Sequence, residues 1–419
     1  MSSQDAAIAD VAPPAATQPA PTPLGDRIAT LDLIRGLAVL GILAVNAQGF
    51  AATFSAYGST ALWPFPNEGA SAVSAWVVDA FFHQKFIALF SMLFGVSIFL
   101  VGGESGDRTR GRLVRRRLFW LLVFALIHGL ALWWGDVLLL YAWAGFLLHF
   151  ARSWKAGRLF ATGLTLFLAF GLPGVFGALM LPHAPPEVQA QVMANMHPTP
   201  DKVAAVRADI AEAAGSWAGA YAQNFRGWTT LQLSSVTFYL PITLGLMMIG
   251  LGLFKTGFLS GRLAAWVYLS AATIGGAALW ATGSLSWRRL VLDEPLLWAG
   301  GVQALISPVV GLGYAAVLIL IWKAGLARLL TPLAAAGRMA LTNYLTQSLI
   351  MTTIFYGGRF GLMGQVDRPG LWLIVGVVWM AQLIGSSLWL ARFQMGPLEW
   401  VWRRLTYGRR VLLRRDPSP

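Results

Sequence analysis

The chain has 419 residues, of which 57% are hydrophobic and 12% are charged, and its mean hydropathy is +0.62. Soluble domains carry about twice that charged fraction, so the composition excludes an ordinary soluble protein and predicts an all-α, polytopic transmembrane helical bundle. The net charge of +13 does not indicate a nucleic-acid partner, because the lysines and arginines form short clusters between apolar runs. The absence of cysteine excludes disulfides and thiolate metal sites.

The pattern of apolar and polar segments predicts five parts in chain order. Residues 1–26 are rich in Ala and Pro and are expected to form a disordered N-terminal tail without the features of a signal peptide. The other predicted parts are a transmembrane half of about five spans (27–181), a periplasmic loop with an amphipathic helix at 201–223 (182–226), a second half of about five spans (227–395), and a cytoplasmic interfacial helix and tail (396–419).

About ten segments have the length and apolarity of membrane-spanning helices. With ten spans and both termini in the cytoplasm, most of the 31 lysines and arginines lie on the inner side, as the positive-inside rule requires. The predicted spans are 31–52, 73–101, 114–133, 136–151, 159–181, 227–254, 262–282, 296–322, 333–356 and 370–392.

The third and fourth spans form a helical hairpin with a short periplasmic turn at 133–136. Asp136 is placed to cap the second helix of the hairpin through the free backbone N–H groups. His128 and Tyr141 lie on opposite arms, each roughly 8–10 Å below the membrane surface at 1.5 Å per residue. Because ionisable residues are costly in a bilayer, we expect His128 to be a general base or acyl carrier, although a hydrogen bond to a carbonyl would also explain it.

Two other spans place polar side chains at about the same depth. Asp79 and His83 are four residues apart on one helical face, near Lys85, and either a functional site or an Asp–Lys or Asp–His pair that fixes helix packing would explain them. Asn46 in the first span lies at a similar depth and would form either part of the site or an interhelical hydrogen bond. We expect Asn46, Asp79, His128 and Tyr141 to converge on one pocket.

Polar residues also mark the inner end of the bundle and the ninth span. Asp32 and Arg35 can pair on one helical face, where Arg35 either meets a phosphate-bearing ligand or snorkels to lipid headgroups. In the ninth span, Asn343 and Gln347 are four residues apart, with Tyr344 and Ser348 beside them. Such a polar stripe is expected to face a cavity or a partner helix. Nothing in the sequence has the spacing of a metal site, so we expect no metal cofactor.

Three groups of motifs, the last of them a pair of stretches, together resemble the YeiB-like family of bacterial inner-membrane proteins, whose C-terminal part is the domain of unknown function 418. They are 31–36 with Asn46, 85–95 with 128–141, and 337–348 with 396–400. The opening is also similar to that of transmembrane acyltransferases, including heparan-alpha-glucosaminide N-acetyltransferase and bacterial enzymes that O-acylate surface sugars. Those relatives transfer an acyl group from cytoplasmic acyl-CoA to a sugar across the membrane by means of a membrane histidine.

The resemblance implies an acyltransferase with acyl-CoA as co-substrate and a sugar-like acceptor. Asp32, Arg35 and Arg338 would then hold the acyl-CoA, and His128 would act as base, oriented by Asp136 or Asp79. Tyr141 and Asn46 would donate hydrogen bonds to a developing oxyanion. The chain departs from the sugar O-acylating enzymes at Asn46, where those proteins carry histidine eleven residues after the arginine. This departure leaves His128 or His83 as substitutes by position only.

Two other hypotheses fit the sequence. A transporter or lipid-handling protein would use the Pro-interrupted spans and the Asp79–Lys85 pair as an ion-coupled path. A non-catalytic scaffold or sensor would use the polar residues only to hold helices and membrane lipid together. An activity that survives His128→Ala would favour this last hypothesis.

Overall fold

The computed structural model of the chain describes residues 28–196, 198–408 and 410–414. Within these ranges the regular structure is helical, apart from an isolated antiparallel bridge between Phe393 and Arg414. The predicted all-α class is therefore confirmed. The predicted tail at 1–26 lies outside the described residues.

Sixteen α-helices are formed by the described part of the chain. They are α1 Ala29–Ala51, α2 Gly69–Val77, α3 Lys85–Gly102, α4 Arg108–Ala131, α5 Leu138–Ala151, α6 Ala156–Met180, α7 Pro186–Met196, α8 Pro200–Gly215, α9 Trp217–Ser234, α10 Leu240–Lys255, α11 Ala265–Leu290, α12 Ala299–Lys323, α13 Thr331–Arg338, α14 Ala340–Phe355, α15 Arg368–Arg392 and α16 Pro397–Tyr407. Short π-helical turns at Val78–Phe82 and Ser235–Tyr239 join α2 towards α3 and α9 to α10.

Six helical segments of the described chain are long and apolar enough to cross a membrane. They are Ala29–Ala51, Gly69–Gly102, Ala156–His183, Trp217–Lys255, Ala299–Lys323 and Arg368–Arg392. The other four predicted spans fall on α4, α5, α11 and the α13–α14 pair. Among these, α5 has 14 residues and α14 has 16, fewer than the roughly 20 that a bilayer core requires.

The predicted amphipathic helix at 201–223 is wrong as a single element, because the chain breaks at Ser216. The backbone of Ser216 is extended, and its hydroxyl accepts a hydrogen bond from the Gly219 N–H at 3.0 Å. The Ser216 side chain caps the free N–H at the start of α9. A new helix therefore begins here, where the sequence pattern predicts one continuous helix. The apolar segment that contains the predicted sixth span, 227–254, consequently begins at Trp217, ten residues earlier than predicted.

The helices α1 and α13 cross in direct backbone contact. A Cβ atom on Gly36 would lie 1.9 Å from the Leu333 carbonyl oxygen, and one on Gly337 would lie 1.9 Å from the Asp32 carbonyl oxygen. Only glycine permits this approach. The crossing therefore places the start of α1 beside Arg338 at one end of the bundle. We call this end, which carries Arg35, Arg117, Arg338 and Arg403, the arginine face.

The turn between α4 and α5 lies at the other end of the bundle. Trp133 and Trp134 are buried there, and the Trp133 indole N–H donates to the Gly49 carbonyl at 3.3 Å. On the neighbouring α9, the Asn224 amide donates to the Gly129 carbonyl at 2.9 Å. These contacts fix the end of α4. They therefore also fix the position of His128, which lies about one helical turn before that end.

Candidate functional site

Three side chains from α4, the α4–α5 turn and α14 form a continuous hydrogen-bonded chain. His128 Nδ1 lies 2.8 Å from Asp136 Oδ1, and His128 Nε2 lies 2.8 Å from the Ser348 hydroxyl oxygen. All three residues are buried. Because the Asp136 carboxylate can only accept at Nδ1, the tautomer that fits this geometry has its proton on Nδ1 and presents Nε2 as the acceptor for the Ser348 hydroxyl.

The carboxylate of Asp136 also caps α5, as predicted. Its two oxygens accept the backbone N–H groups of Leu138 at 3.2 Å and Leu139 at 2.9 Å. These hydrogen bonds fix the position of the carboxylate. The same side chain therefore caps α5 and orients the His128 imidazole. Of the two carboxylates predicted to orient His128, the structure places Asp136 in that position.

A cavity of about 270 Å³ runs through the bundle from the arginine face towards this hydrogen-bonded chain. Along α1 its wall extends from Ile28 to Ile42, about 21 Å at 1.5 Å per residue. Apolar side chains from α1, α3, α4 and α5 form most of its length. Tyr141 and Tyr344 also line it, and the Tyr344 ring packs 5.1 Å from the His128 ring.

The mouth of the cavity is positively charged. Four arginines line it against two carboxylates, namely Arg35, Arg117, Arg338 and Arg403 against Asp32 and Glu399. An excess of guanidinium groups around an otherwise apolar cavity suits a ligand with an anionic head and an extended body.

Two contacts fix the geometry of this mouth. The predicted pairing of Asp32 with Arg35 is confirmed, with an N–O distance of 2.8 Å. Arg117 stacks over the Trp402 ring at 3.6 Å, while the Trp402 indole N–H donates to the Arg117 carbonyl. The first contact lies within α1, and the second joins α4 to α16 at the rim of the cavity.

Glu399 joins α16 to the start of α14. Its carboxylate accepts the N–H groups of Leu341 at 2.7 Å and Thr342 at 3.1 Å, and the Thr342 hydroxyl at 2.6 Å. Burial raises the pKa of this carboxyl above its ordinary value, although the hydrogen bonds from Thr342 and Leu341 act in the opposite direction. The same group therefore lines the mouth and caps the helix that carries Ser348.

Tyr141 and Asn46 lie apart from the imidazole. The Tyr141 hydroxyl is 3.0 Å from the Ser91 hydroxyl and also donates to the Ile87 carbonyl at 3.3 Å, so it lines the cavity without bonding to His128. Asn46 is half-buried on α1, one turn beyond Ile42, and is not among the residues that line the cavity. The structure therefore brings His128, Asp136 and Tyr141 to one region and leaves Asn46 beside it.

Asp79 belongs to a separate polar cluster and does not reach His128. Its Oδ2 accepts from Ser286 and from Arg289, each at 2.6 Å, and its Oδ1 lies 3.2 Å from His83 Nδ1. The buried Lys85 ammonium donates to the Asp79 backbone carbonyl at 2.7 Å. The prediction that Asp79 and His128 share one pocket is wrong. Helix α11 supplies hydrogen-bond partners to Asp79, and an estimate of depth in the membrane does not reveal them.

The polar stripe of the ninth span divides between two roles. Asn343 donates to the Ser386 hydroxyl at 3.1 Å, and Gln347 donates to the Gln382 side chain at 2.8 Å, so these two hold α14 against α15. Ser348, next to Gln347, instead faces His128. The sequence patterns do not assign Ser348, Arg117, Arg403 or Glu399 to the site. For Ser348, the feature that could have indicated a role is its place in the polar stripe, four residues after Tyr344.

No group of three His, Cys, Asp or Glu side chains in the described chain is arranged to hold a metal ion. The side chains of this region are an imidazole, three carboxyl groups, hydroxyls and guanidinium groups. That set can move protons, activate a hydroxyl and bind an anion.

Comparison with known proteins identifies relatives over nearly the whole chain. "Uncharacterized protein YeiB" of Escherichia coli is 33% identical over 91% of this chain and 96% of its own length. "Uncharacterized protein YxaH" of Bacillus subtilis is 30% identical over 92% of this chain and 96% of its own length. No solved structure matches the chain. The sequence profile described as "Protein of unknown function (DUF418)" matches residues 248–409. The resemblance seen in the sequence is thereby confirmed, and the chain belongs to the YeiB-like family of bacterial helical proteins.

Proposed function

We propose that the protein is an integral-membrane acyltransferase that binds cytoplasmic acyl-CoA in the cavity and transfers the acyl group to a hydroxyl-bearing, sugar-like acceptor from the periplasmic side. The observation that carries the proposal is the cavity itself, since a cationic mouth leads through an apolar channel to a tyrosine packed on a buried imidazole. CoA has matching chemistry, with phosphates at one end, an extended arm and a reactive thioester at the other end.

The proposed topology has ten membrane crossings with both termini in the cytoplasm. Under it the arginine face is cytoplasmic and the α4–α5 turn is periplasmic. The polybasic start of α4 supports this orientation, because its arginines lie on the same face as Arg35 and the C-terminal helix α16. The short helices α5 and α14 are then also crossings. The buried turn residues extend α5 to the length of a crossing, and α13 does the same for α14.

The proposal gives each side chain at the mouth of the cavity a part in binding or catalysis. Arg35, held by Asp32, and Arg338 would contact the phosphates, as the resemblance implies, and Arg117 and Arg403 would join them. His128 would accept a proton at Nε2 while Asp136 stabilises the imidazolium that forms. Tyr141 and Tyr344, which line the cavity near His128, would lie beside the thioester.

The proposal is tested by measuring the binding of radiolabelled acetyl-CoA to purified full-length protein in lipid nanodiscs. We expect saturable binding that weakens as salt increases and that falls at least tenfold in Arg35→Gln. The matched control is Arg328→Gln, because Arg328 is exposed and does not line the cavity. Absence of binding, or equal binding by both variants, would overturn the proposal.

A second candidate function, ion-coupled transport, is favoured by the break between α2 and α3. Gln84 adopts a left-handed backbone there with φ of 67°, inside the apolar segment Gly69–Gly102 and beside the Asp79 cluster. Broken helices that carry ionisable residues are typical of transport sites. Substrate flux in proteoliposomes that follows a proton gradient and stops in Asp79→Asn would favour this function over acyl transfer.

A further inference from the structure

We propose that Ser348 is a catalytic nucleophile and that the reaction passes through an acyl-serine intermediate. This inference rests on the proposed acyltransferase function and adds a covalent step to it. Asp136, His128 and Ser348 stand in the order of carboxylate, imidazole and hydroxyl that activates serine for attack on a carbonyl carbon.

The hydrogen bonding of Ser348 differs from that of two other buried serines, Ser307 and Ser91. Ser307 donates to the Gln303 carbonyl of its own helix at 2.7 Å, and Ser91 donates to Ile87 in the same way at 2.7 Å. The corresponding contact of Ser348, to the Tyr344 carbonyl, is 3.4 Å long, whereas its contact with His128 Nε2 is 2.8 Å. The hydroxyl proton of Ser348 is therefore directed at the imidazole.

The cavity ends one helical turn from Ser348. Leu341 and Tyr344 on α14 form part of its wall, and Ser348 is the next residue on that helical face. Ser348 is 1% exposed, so the Tyr344 ring must rotate away from His128 before a thioester can reach the hydroxyl oxygen. The movement of Tyr344 would couple filling of the cavity to exposure of the nucleophile.

Tyr344 also has a hydroxyl with no well-formed hydrogen bond to a described residue, although it is buried near the backbone of Val137. An unsatisfied buried hydroxyl is costly, and such groups occur where a ligand supplies the partner. The Tyr344 hydroxyl is therefore the group we assign to donate a hydrogen bond to the oxyanion that forms on the thioester carbonyl.

The first half-reaction forms an oxygen–carbon bond and breaks a carbon–sulfur bond. The Ser348 oxygen attacks the thioester carbonyl carbon while His128 Nε2 takes the hydroxyl proton. Collapse of the tetrahedral adduct releases the CoA thiolate, which takes that proton from Nε2 and leaves as the thiol. The products are acyl-Ser348 and free CoA.

The second half-reaction restores the enzyme. An acceptor hydroxyl attacks the acyl-serine carbonyl carbon as His128 takes its proton, and the departing Ser348 oxygen recovers that proton. On the side opposite the arginine face, a small pocket lined in part by Leu132, Asn224 and Tyr356 lies one turn from His128, because the Leu132 N–H donates to the His128 carbonyl. Donor and acceptor would thus reach one serine from opposite sides.

The experiment uses full-length protein in nanodiscs with acetyl-CoA and no acceptor, quenched in acid and analysed by peptide mass spectrometry. We expect an acetyl group on the peptide that contains Ser348, together with a burst of free CoA. Ser348→Ala should lose the adduct, lower CoA release at least about 1,000-fold and still bind acetyl-CoA. Ser307→Ala, a buried serine bonded only to its own helix, should keep both signals.

Ser348→Cys guards against a variant that simply fails to fold. A cysteine retains a nucleophile at the same position, so it should form an adduct that neutral hydroxylamine removes. Suppose that acetyl-CoA binds and is consumed, but that no adduct forms at position 348 in the wild type or in Ser348→Cys, or that the adduct forms on His128. The acyl-serine step is then wrong, and the acyltransferase proposal survives. If acetyl-CoA does not bind at all, both fail.

Discussion

The imidazole of His128 and the hydroxyl of Ser348 lie 2.8 Å apart although 220 residues separate them in the chain. The contact joins a helix of the N-terminal part of the chain, α4, to a helix of the C-terminal part, α14, next to the cavity wall at Tyr344. Each partner is held independently, His128 by Asp136 and Ser348 by α14, whose start is capped by Glu399. A hydrogen bond built from two anchored ends is suited to proton transfer because neither side chain has to be immobilised during the reaction.

Asp136→Asn tests the orientation of the imidazole. Asparagine can still cap α5, so the fold should persist with a loss of about 1 kcal/mol or less. It cannot stabilise the imidazolium, and its amide can force the wrong tautomer, so we expect release of CoA from acetyl-CoA to fall at least about 100-fold with donor affinity unchanged. Steady-state kinetics and the thermal midpoint separate the two effects. A large fall in the midpoint with full activity would contradict the assignment.

Gly337→Ala tests the close crossing of α1 and α13. The added methyl would lie 1.9 Å from the Asp32 carbonyl, so the helices must separate, and overpacking of this kind costs about 1–3 kcal/mol. Because Asp32, Arg35 and Arg338 line the mouth, acetyl-CoA binding should weaken as well. Gly276→Ala is the control, since its Cβ would meet open space and should leave both the thermal midpoint and the binding intact.

The pH dependence of stability should report Glu399. Burial raises the pKa of this carboxyl above its ordinary value of 4.5, so the folded state favours the protonated form. The stabilisation is fully present below pH 4.5 and is lost as the pH rises through the raised pKa. The thermal midpoint of the wild type should therefore decrease more than that of Glu399→Gln as the pH increases from about 4.5 to neutrality. Exposed Glu187, replaced by Gln, should retain the wild-type slope.

Asp79→Asn distinguishes a structural cluster from a coupling site. The substitution leaves Arg289 without its charged partner, so the protein should lose about 3 kcal/mol of stability. The Asp79 cluster does not line the cavity, and acetyl-CoA binding should therefore be retained in membranes where the variant folds. Unfolding in denaturant followed by intrinsic tryptophan fluorescence, paired with the binding assay, measures both. Loss of binding in a fully folded variant would place Asp79 in the donor site.

The sequence determined those features that depend on local composition and helical spacing. Apolar run length predicts the helices, Asp32 and Arg35 pair because they are three residues apart, and Asp136 caps α5 because it stands just before an apolar run. The family resemblance carried by motifs such as 31–36 is confirmed by relatives that cover nearly the whole chain. Each of these depends on neighbours in the chain, which one sequence displays directly.

Only the tertiary structure decided which polar side chains meet. Counting residues gives a depth along a helix but not the direction in which a side chain points, so Asp79 and His128 appeared to share a pocket. In the folded chain, α11 packs so that Arg289 bonds to Asp79, and α14 packs so that Ser348 bonds to His128. The cavity likewise arises from α1, α3, α4, α5, α14 and α16 together, and the glycine crossing of α1 with α13 sets the position of its mouth. Contacts between helices hundreds of residues apart depend on rotation about each helix axis, which hydrophobic periodicity constrains weakly when lipid and protein core are equally apolar.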